Sequence, residues 1–135
     1  MASELRVDTL KDSSGSNSVG MAYVSGGSAK ARGQHAAGTL QSGALNHSSI
    51  TDNGVGIFTH NFTSSFANTL YSHIGSCTYN SGASTAIWTY MREDGSAGDT
   101  TTGSIKVTSA FVNAASNRTN LDFAFVDLIC FGDLA

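Results

Sequence analysis

The tripeptide Asp52-Asn53-Gly54, in the middle of LNHSSITDNGVGIFTHNF (residues 45–62), constrains the fold more than any other local feature of the chain. Asn-Gly between alternating apolar residues favours a tight turn with positive φ, whose twist matches the strands it joins. With Asn53 and Gly54 as the turn residues, the strands pair outward as Asp52–Val55, Ile50–Ile57, Ser49–Phe58, His47–His60 and Leu45–Phe62. This register sets Leu45, Phe58 and Phe62 on one face, and His47 and His60 with them.

The texture after the hairpin is the same. LYSHIGSCTY (70–79), TAIWTYMRE (85–93), SIKVTSAFV (104–112) and LDFAFVDLICF (121–131) alternate apolar and polar residues and are separated by Gly- and Ser-rich turns. About six strands at hairpin spacing predict an all-β chain, an antiparallel β-sandwich of jelly-roll-like form. The last segment is apolar on both faces over its second half, which suits a central strand or a subunit contact. The N-terminal third reads differently. ELRVDTL (4–10) and VGMAYVS (19–25) suit short strands, DSSGSNS (12–18) suits a turn, and a short helix fits Ser28–Arg32. Residues 26–44 are rich in Gly, Ala and polar groups, with too little bulk for a core. Residues 1–44 are therefore expected to form an extended attachment arm or stalk, and residues 45–135 a head domain.

A chain of 135 residues suits one domain. Only 13% of residues are charged and the net charge is -3, with seven Lys plus Arg scattered along the sequence. Phosphate recognition needs clustered cations, so no nucleic-acid partner is expected. No long apolar run predicts a membrane-spanning helix, and no export signal is read at the N-terminus. Cys77 and Cys130 are then expected as buried thiols. No G-x-S-x-G is present, GTLQSGAL (38–45) lacks the Lys of a phosphate loop, and Glu93 and Asp94 would point to opposite faces of a strand. No enzymatic activity and no cofactor are expected.

Two sets of residues remain as candidate sites. His47, His60 and His73 (the last on the face that carries Tyr71 and Cys77) are the right ligand type for zinc, iron or nickel. In-strand histidines have no ligand-spacing motif, however, and the favoured reading is neutral rings in the core or at a subunit contact. The loop 94–103, with Asp94, Ser96, Asp99, Thr100 and Thr101, is the candidate receptor-contact surface, because it is long and lacks an apolar anchor. Trp88, Tyr90 and Tyr79 could stack on a sugar ring, although Trp88 and Tyr90 alternate with Ile87 and Met91 and suit a core or interface at least as well.

Three stretches carry a family likeness: SELRVDTLKDSSGSNSVGM at the N-terminus, GSAKARGQ, and SSITDNGVGIFTHNFTSSFANTLYS. Together they resemble tail-fibre and related virion appendage proteins of marine bacteriophages, especially those of cyanobacteria. The likeness covers the first half of the chain and extends to the second half only in texture. Arg32 stands where that family often has Trp, and His60 where Val is common. The resemblance implies a virion structural protein without catalysis, commonly a homo-oligomer and often a trimer. It implies attachment to other virion proteins through the arm (Leu5, Val7 and Leu10) and a head that contacts host-surface polysaccharide. A capsid decoration or head-fibre protein is the alternative within the phage context, and a free-standing carbohydrate-binding module the alternative outside it.

Overall fold

The fold is that of a computed structural model, which describes residues 6–78, 86–93, 99–113 and 117–135, with the strand at 86–93 described by its backbone. The first described elements are a hairpin of β1 (Thr9–Lys11) and β2 (Ser18–Gly20), followed by a seven-residue helix α1 (Met21–Gly27) that buries no residue. Next come β3 (Ala31–Ala36), β4 (Thr39–Leu40), β5 (His47–Gly54), β6 (Ile57–Phe62) and β7 (Ser72–Thr78). The remaining strands are β8 (Ala86–Glu93), β9 (Ser104–Asn113), β10 (Arg118–Asn120) and β11 (Phe125–Phe131).

Apart from the small hairpin, the strands make two antiparallel sheets. One has the order β4-β3-β11-β7. In the other, β5, β6 and β9 follow one another, and β9 also pairs with β8 and β10. Their inner faces supply a common core of Ala31, Leu128 and Cys130 from the first sheet, Phe62, Ile105 and Val107 from the second, and Phe66 and Tyr71 from the connection between β6 and β7. The all-β antiparallel sandwich expected from alternation is therefore the observed architecture.

Several local expectations are corrected. The arm ends near Lys30 instead of Ala44, because β3 lies inside the first sheet, paired with β11 from Val126↔His35 to Cys130↔Ala31. Its side chains alternate buried and exposed, with Ala31, Gly33 and His35 inward. The helix falls on 21–27, where a second strand was expected, and residues 31 and 32 of the expected helix are strand. Only three residues of 4–10 and its flank form β1, and residues 121–124 precede the final strand instead of belonging to it. β11 does lie between two neighbours, β3 and β7.

The central hairpin exists, but its turn sits two residues later. Gly54 pairs with Ile57, and Val55 and Gly56 make the turn. Asp52 accepts the Gly54 N–H through Oδ1 (2.9 Å), and the Asn53 amide donates to Thr59 Oγ1 (2.8 Å), so Asn53 is spent on a bulge. A second register shift between His47 and Ser49 leaves His47 opposite Phe62. Leu45 is turned outward, 50% exposed, and bridges to Arg32 of β3.

Gly56 fixes where the second sheet branches. Its φ is +67°, and a Cβ there would lie 2.5 Å from the Ser109 carbonyl and 2.6 Å from the Leu121 nitrogen. Its carbonyl accepts the Ser109 N–H, and Asp122 accepts its own N–H. Gly56→Ala combines a left-handed backbone penalty with a backbone clash and should cost about 2–3 kcal/mol. Urea denaturation of the variant against the parent chain measures that loss.

Candidate functional site

The inner faces of β3, β5 and β6 bring three histidines together at one end of the sandwich. His35 and His60 are fully buried and His47 is 9% exposed. The His60 ring lies between the other two, with centroids 5.2 Å from His35 and 5.3 Å from His47. Aromatic rings flank the row: Phe58 packs on His35 at 4.3 Å, and Phe62 stacks on His47 at 5.4 Å with nearly parallel planes. The histidines extend the aromatic wall of the core toward the β3–β4 turn.

Each strand places its histidine for a separate reason. On β6, strict alternation sends Phe58, His60 and Phe62 inward. On β5, the shift between His47 and Ser49 rotates His47 toward Phe62. On β3, the inward positions are Ala31, Gly33 and His35, and Gly33 is the slot that receives the His47 ring. A Cβ at Gly33 would fall on His47 Nδ1. Glycine is required there by the approach of an imidazole to a backbone, and the ring supplies the bulk that β3 lacks.

Hydrogen bonding in the row is sparse. The Gly38 N–H donates to His35 Nδ1 (3.2 Å), which makes Nδ1 the acceptor and puts the proton of the neutral ring on Nε2. The other five ring nitrogens of the three histidines are buried with no hydrogen-bond partner among the described residues. Burial disfavours the charged form. It holds His35 down at about 4, against the upward pull of Asp127, Asp122 and Asp52. It likewise lowers His47 to about 4 and His60 to about 2, each reinforced by its histidine neighbours. All three rings are neutral at pH 7.

The histidine set is thus not the one expected. His47 and His60 do come close, but the third member is His35. His73 lies on β7, half-buried and opposite Cys130, away from β5 and β6. Among the described residues no three His, Cys, Asp or Glu side chains converge as a metal-binding group. The pairing of His47 with His60 as direct cross-strand partners is corrected too: their opposites are Phe62 and Ile50.

The described part of the candidate contact loop is built into the scaffold. Asp99 is 6% exposed and takes an ion pair from Lys106 at 2.5 Å, so it is a buried anchor instead of an exposed contact. Thr100 bridges to Ile105, and Thr101 closes a turn on Ser104 through its N–H (2.9 Å). The Tyr71 hydroxyl lies 3.0 Å from the carbonyl oxygens of both Thr101 and Ser104, which ties this turn to the core. Leu5, Tyr79, Asp94 and Ser96 lie outside the described residues, as do the side chains of Trp88 and Tyr90 on β8. Val7 and Leu10 are exposed at 37% and 44%. No disulfide joins Cys77 to Cys130. They sit on adjacent strands but in rows four residues apart, opposite Val126 and His73, and burial pushes the Cys130 thiol up to about 12.

No family model, curated protein or solved structure matches the chain. Function has to be argued from the residues themselves.

A second feature escaped the sequence reading because it lies on the outer face of β3. A groove of about 490 Å³ is lined by Arg32 and Gln34 of β3, Ser76 of β7, Asp127 and Ile129 of β11, and Ser42 and Gly43 of the β4–β5 connection. Gln34, Asp127 and Ser76 form one row across three strands. Gln34 donates to one Asp127 oxygen (2.8 Å) and Ser76 to the other (3.3 Å), while Arg32 donates to the Gly43 carbonyl (2.9 Å). The groove offers polar side chains held in place beside an isoleucine, with neither a nucleophile–base pair nor a cluster of cations among its lining residues.

Two outcomes test the packing of the row. Gly33→Ala should lose about 2–4 kcal/mol because the His47 ring has to leave its slot, and most of that loss should vanish in a His47→Ala background. A double-mutant cycle by urea denaturation reads the coupling. His60→Leu removes two unpartnered ring nitrogens at similar volume and should raise stability at pH 7 by about 1–3 kcal/mol.

Proposed function

We propose that the protein is a non-enzymatic structural component of a bacteriophage particle. It would be a short fibre or appendage subunit that attaches through its N-terminal arm and presents the β-sandwich as a host-facing head. The observation that carries this reading is the contrast between the two parts of the chain. The arm exposes Leu10, Val19 and Tyr23, the last at 80%, on elements too small to bury them, and Val7 just before β1. Apolar side chains displayed on a short hairpin and helix suit docking to another protein, here the particle. The head is a closed two-sheet body with low charge, which suits a subunit whose task is mechanical. The likeness of SELRVDTLKDSSGSNSVGM and SSITDNGVGIFTHNF to phage appendage segments points the same way.

The exposed side chains of the head also suit oligomerisation. Phe125, Ile74, Leu70 and Leu45 are exposed at 40%, 67%, 87% and 50%, and a homotrimer would cover part of that surface. The outer groove, with its row of amide, carboxylate and hydroxyl groups, is the place on the head best suited to a host-surface glycan bound weakly and multivalently.

Leu10→Asp combined with Val19→Asp tests the arm on the full-length chain. Attachment to phage particles, measured by co-sedimentation, should be lost while the unfolding free energy of the sandwich from urea denaturation changes by less than about 0.5 kcal/mol. Undiminished attachment of the variant, or labelling of the capsid lattice by antibodies raised against the head, would count against the appendage reading.

A further inference from the structure

The core has two unlike ends. At one end Phe62, Phe66 and Tyr71 make edge and stacked contacts at 4.3–5.8 Å. That end is tied down by the Tyr71 hydroxyl, by the Phe66–Leu134 bridge, and by the Ala135 N–H on the Ser65 carbonyl. At the other end the sheets meet through His35, His60 and His47. The tethers there are backbone and loop contacts: a two-residue β4, the bridge between Arg32 and Leu45, and the hydrogen bonds of Asn46 to Thr63 and Ser64 beside the irregular start of β5.

We propose that the His35–His60–His47 row is an acid-operated latch, which joins the two sheets while its rings are neutral and parts them at this end when the rings take up protons. Three features of the geometry carry the inference. The rings stand in a line with neighbours at 5.2 and 5.3 Å, so a charge on one opposes a charge on the next. All three come from different strands, one on β3 and two on the opposing sheet, so repulsion acts across the interface.

The third feature is that, among the described residues, no carboxylate is hydrogen-bonded or ion-paired to a ring of the row, and only His35 feels a pull from carboxylates. The carboxylates that act on His35 are engaged elsewhere: Asp52 with the Gly54 N–H, Asp122 with the Gly56 N–H, and Asp127 with Gln34 and Ser76 on the outer face. Lys106, the cation on β9, lies between the inward residues Ile105 and Val107 and pairs with Asp99. β4 contributes Thr39 and Leu40, which do not titrate, and the other close neighbours are Phe58 and Phe62.

The direction of the pH dependence follows. Each ring is held below its ordinary value of 6.5 in the closed state, and regains that value when the end opens. The closed state is therefore at full strength above about pH 6.5. It weakens as pH falls, down to about 4 for His35 and His47 and about 2 for His60. Each ring multiplies the opening constant by up to about tenfold per pH unit in its window, and three together by up to about a thousandfold.

Hydrogen exchange of the full-length chain, read by mass spectrometry as protection factors between pH 7 and pH 4.5, tests the latch. Protection in residues 31–54 should collapse as the pH falls below about 5.5, while the peptides covering Ser65–Tyr71 and the end of β11 keep theirs. His60→Leu should reduce the slope from about a thousandfold to about a hundredfold per pH unit. Constant protection of residues 31–54 down to pH 4.5 in the wild-type chain overturns the proposal. So does simultaneous loss over the whole sandwich, which would be ordinary acid unfolding. The wild-type chain decides the matter alone should His60→Leu fail to fold.

Discussion

The sandwich depends on one close approach, the His47 imidazole seated on the backbone of Gly33. β3 is built from small and polar residues and has little apolar bulk of its own, with Ala31 and His35 as its buried side chains on either side of Gly33. The ring supplies what the strand lacks, and the absence of a Cβ at Gly33 lets it do so. His35 is then fixed beside Phe58 and His60, and the first sheet acquires its β3–β11 pairing. A buried imidazole with unpartnered nitrogens costs more than a leucine in the same place. The row therefore trades stability for something else, and sensitivity to protons is the property its geometry confers.

The outer surface carries the functional reading. With few charges to spread over its surface, the chain solvates itself through Ser, Thr and Asn, and the part-buried ion pair Lys106–Asp99 is used to hold a turn. Of the large apolar side chains left outside, Val7, Leu10, Val19 and Tyr23 lie in the N-terminal segment and Ile74 and Phe125 on the outer face of the β11 sheet, with Leu45, Val55, Leu70 and Leu134 in turns, connections and the C-terminal segment. Two such regions on one small protein suit a subunit with two kinds of neighbour, the particle at one end and its own copies at the other. The groove across β3, β11 and β7 lies on that same outer face, so in the proposed appendage its access to a glycan would depend on how the copies pack.

Much of the architecture was legible because β-strands with one buried face must alternate. β6 through IFTHNF and β7 through SHIGSCT follow that rule, as does the start of β9, where Ile105 and Val107 are buried on either side of Lys106. The register of the central hairpin was not legible. Asn53-Gly54 is a strong turn signal, but Asp52 and Asn53 found side-chain partners that made a bulge, and the turn passed to Val55-Gly56. β3 was missed because a strand's bulk was sought in its own residues, whereas a histidine from another strand provides it. Its alternation was present all the same: Ala31, Gly33 and His35 inward, Arg32 and Gln34 outward. Placing ARGQHA in the arm also hid the third histidine and the groove. The inward turn of Asp99 could not be read either, since it depends on Lys106 seven residues later across a turn.

The most direct measurement of the central claim is a long-range ¹H–¹⁵N spectrum of the imidazoles at pH 7, combined with nuclear Overhauser contacts. The account predicts neutral rings of fixed tautomer for His35, His47 and His60, the His35 proton on Nε2, and strong contacts from the His47 ring to the Gly33 α-protons. Averaged, solvent-like imidazole signals with no contact between His47 and Gly33 would contradict it. In that case β3 would not be held in the sandwich by the ring, and the core would have to close some other way.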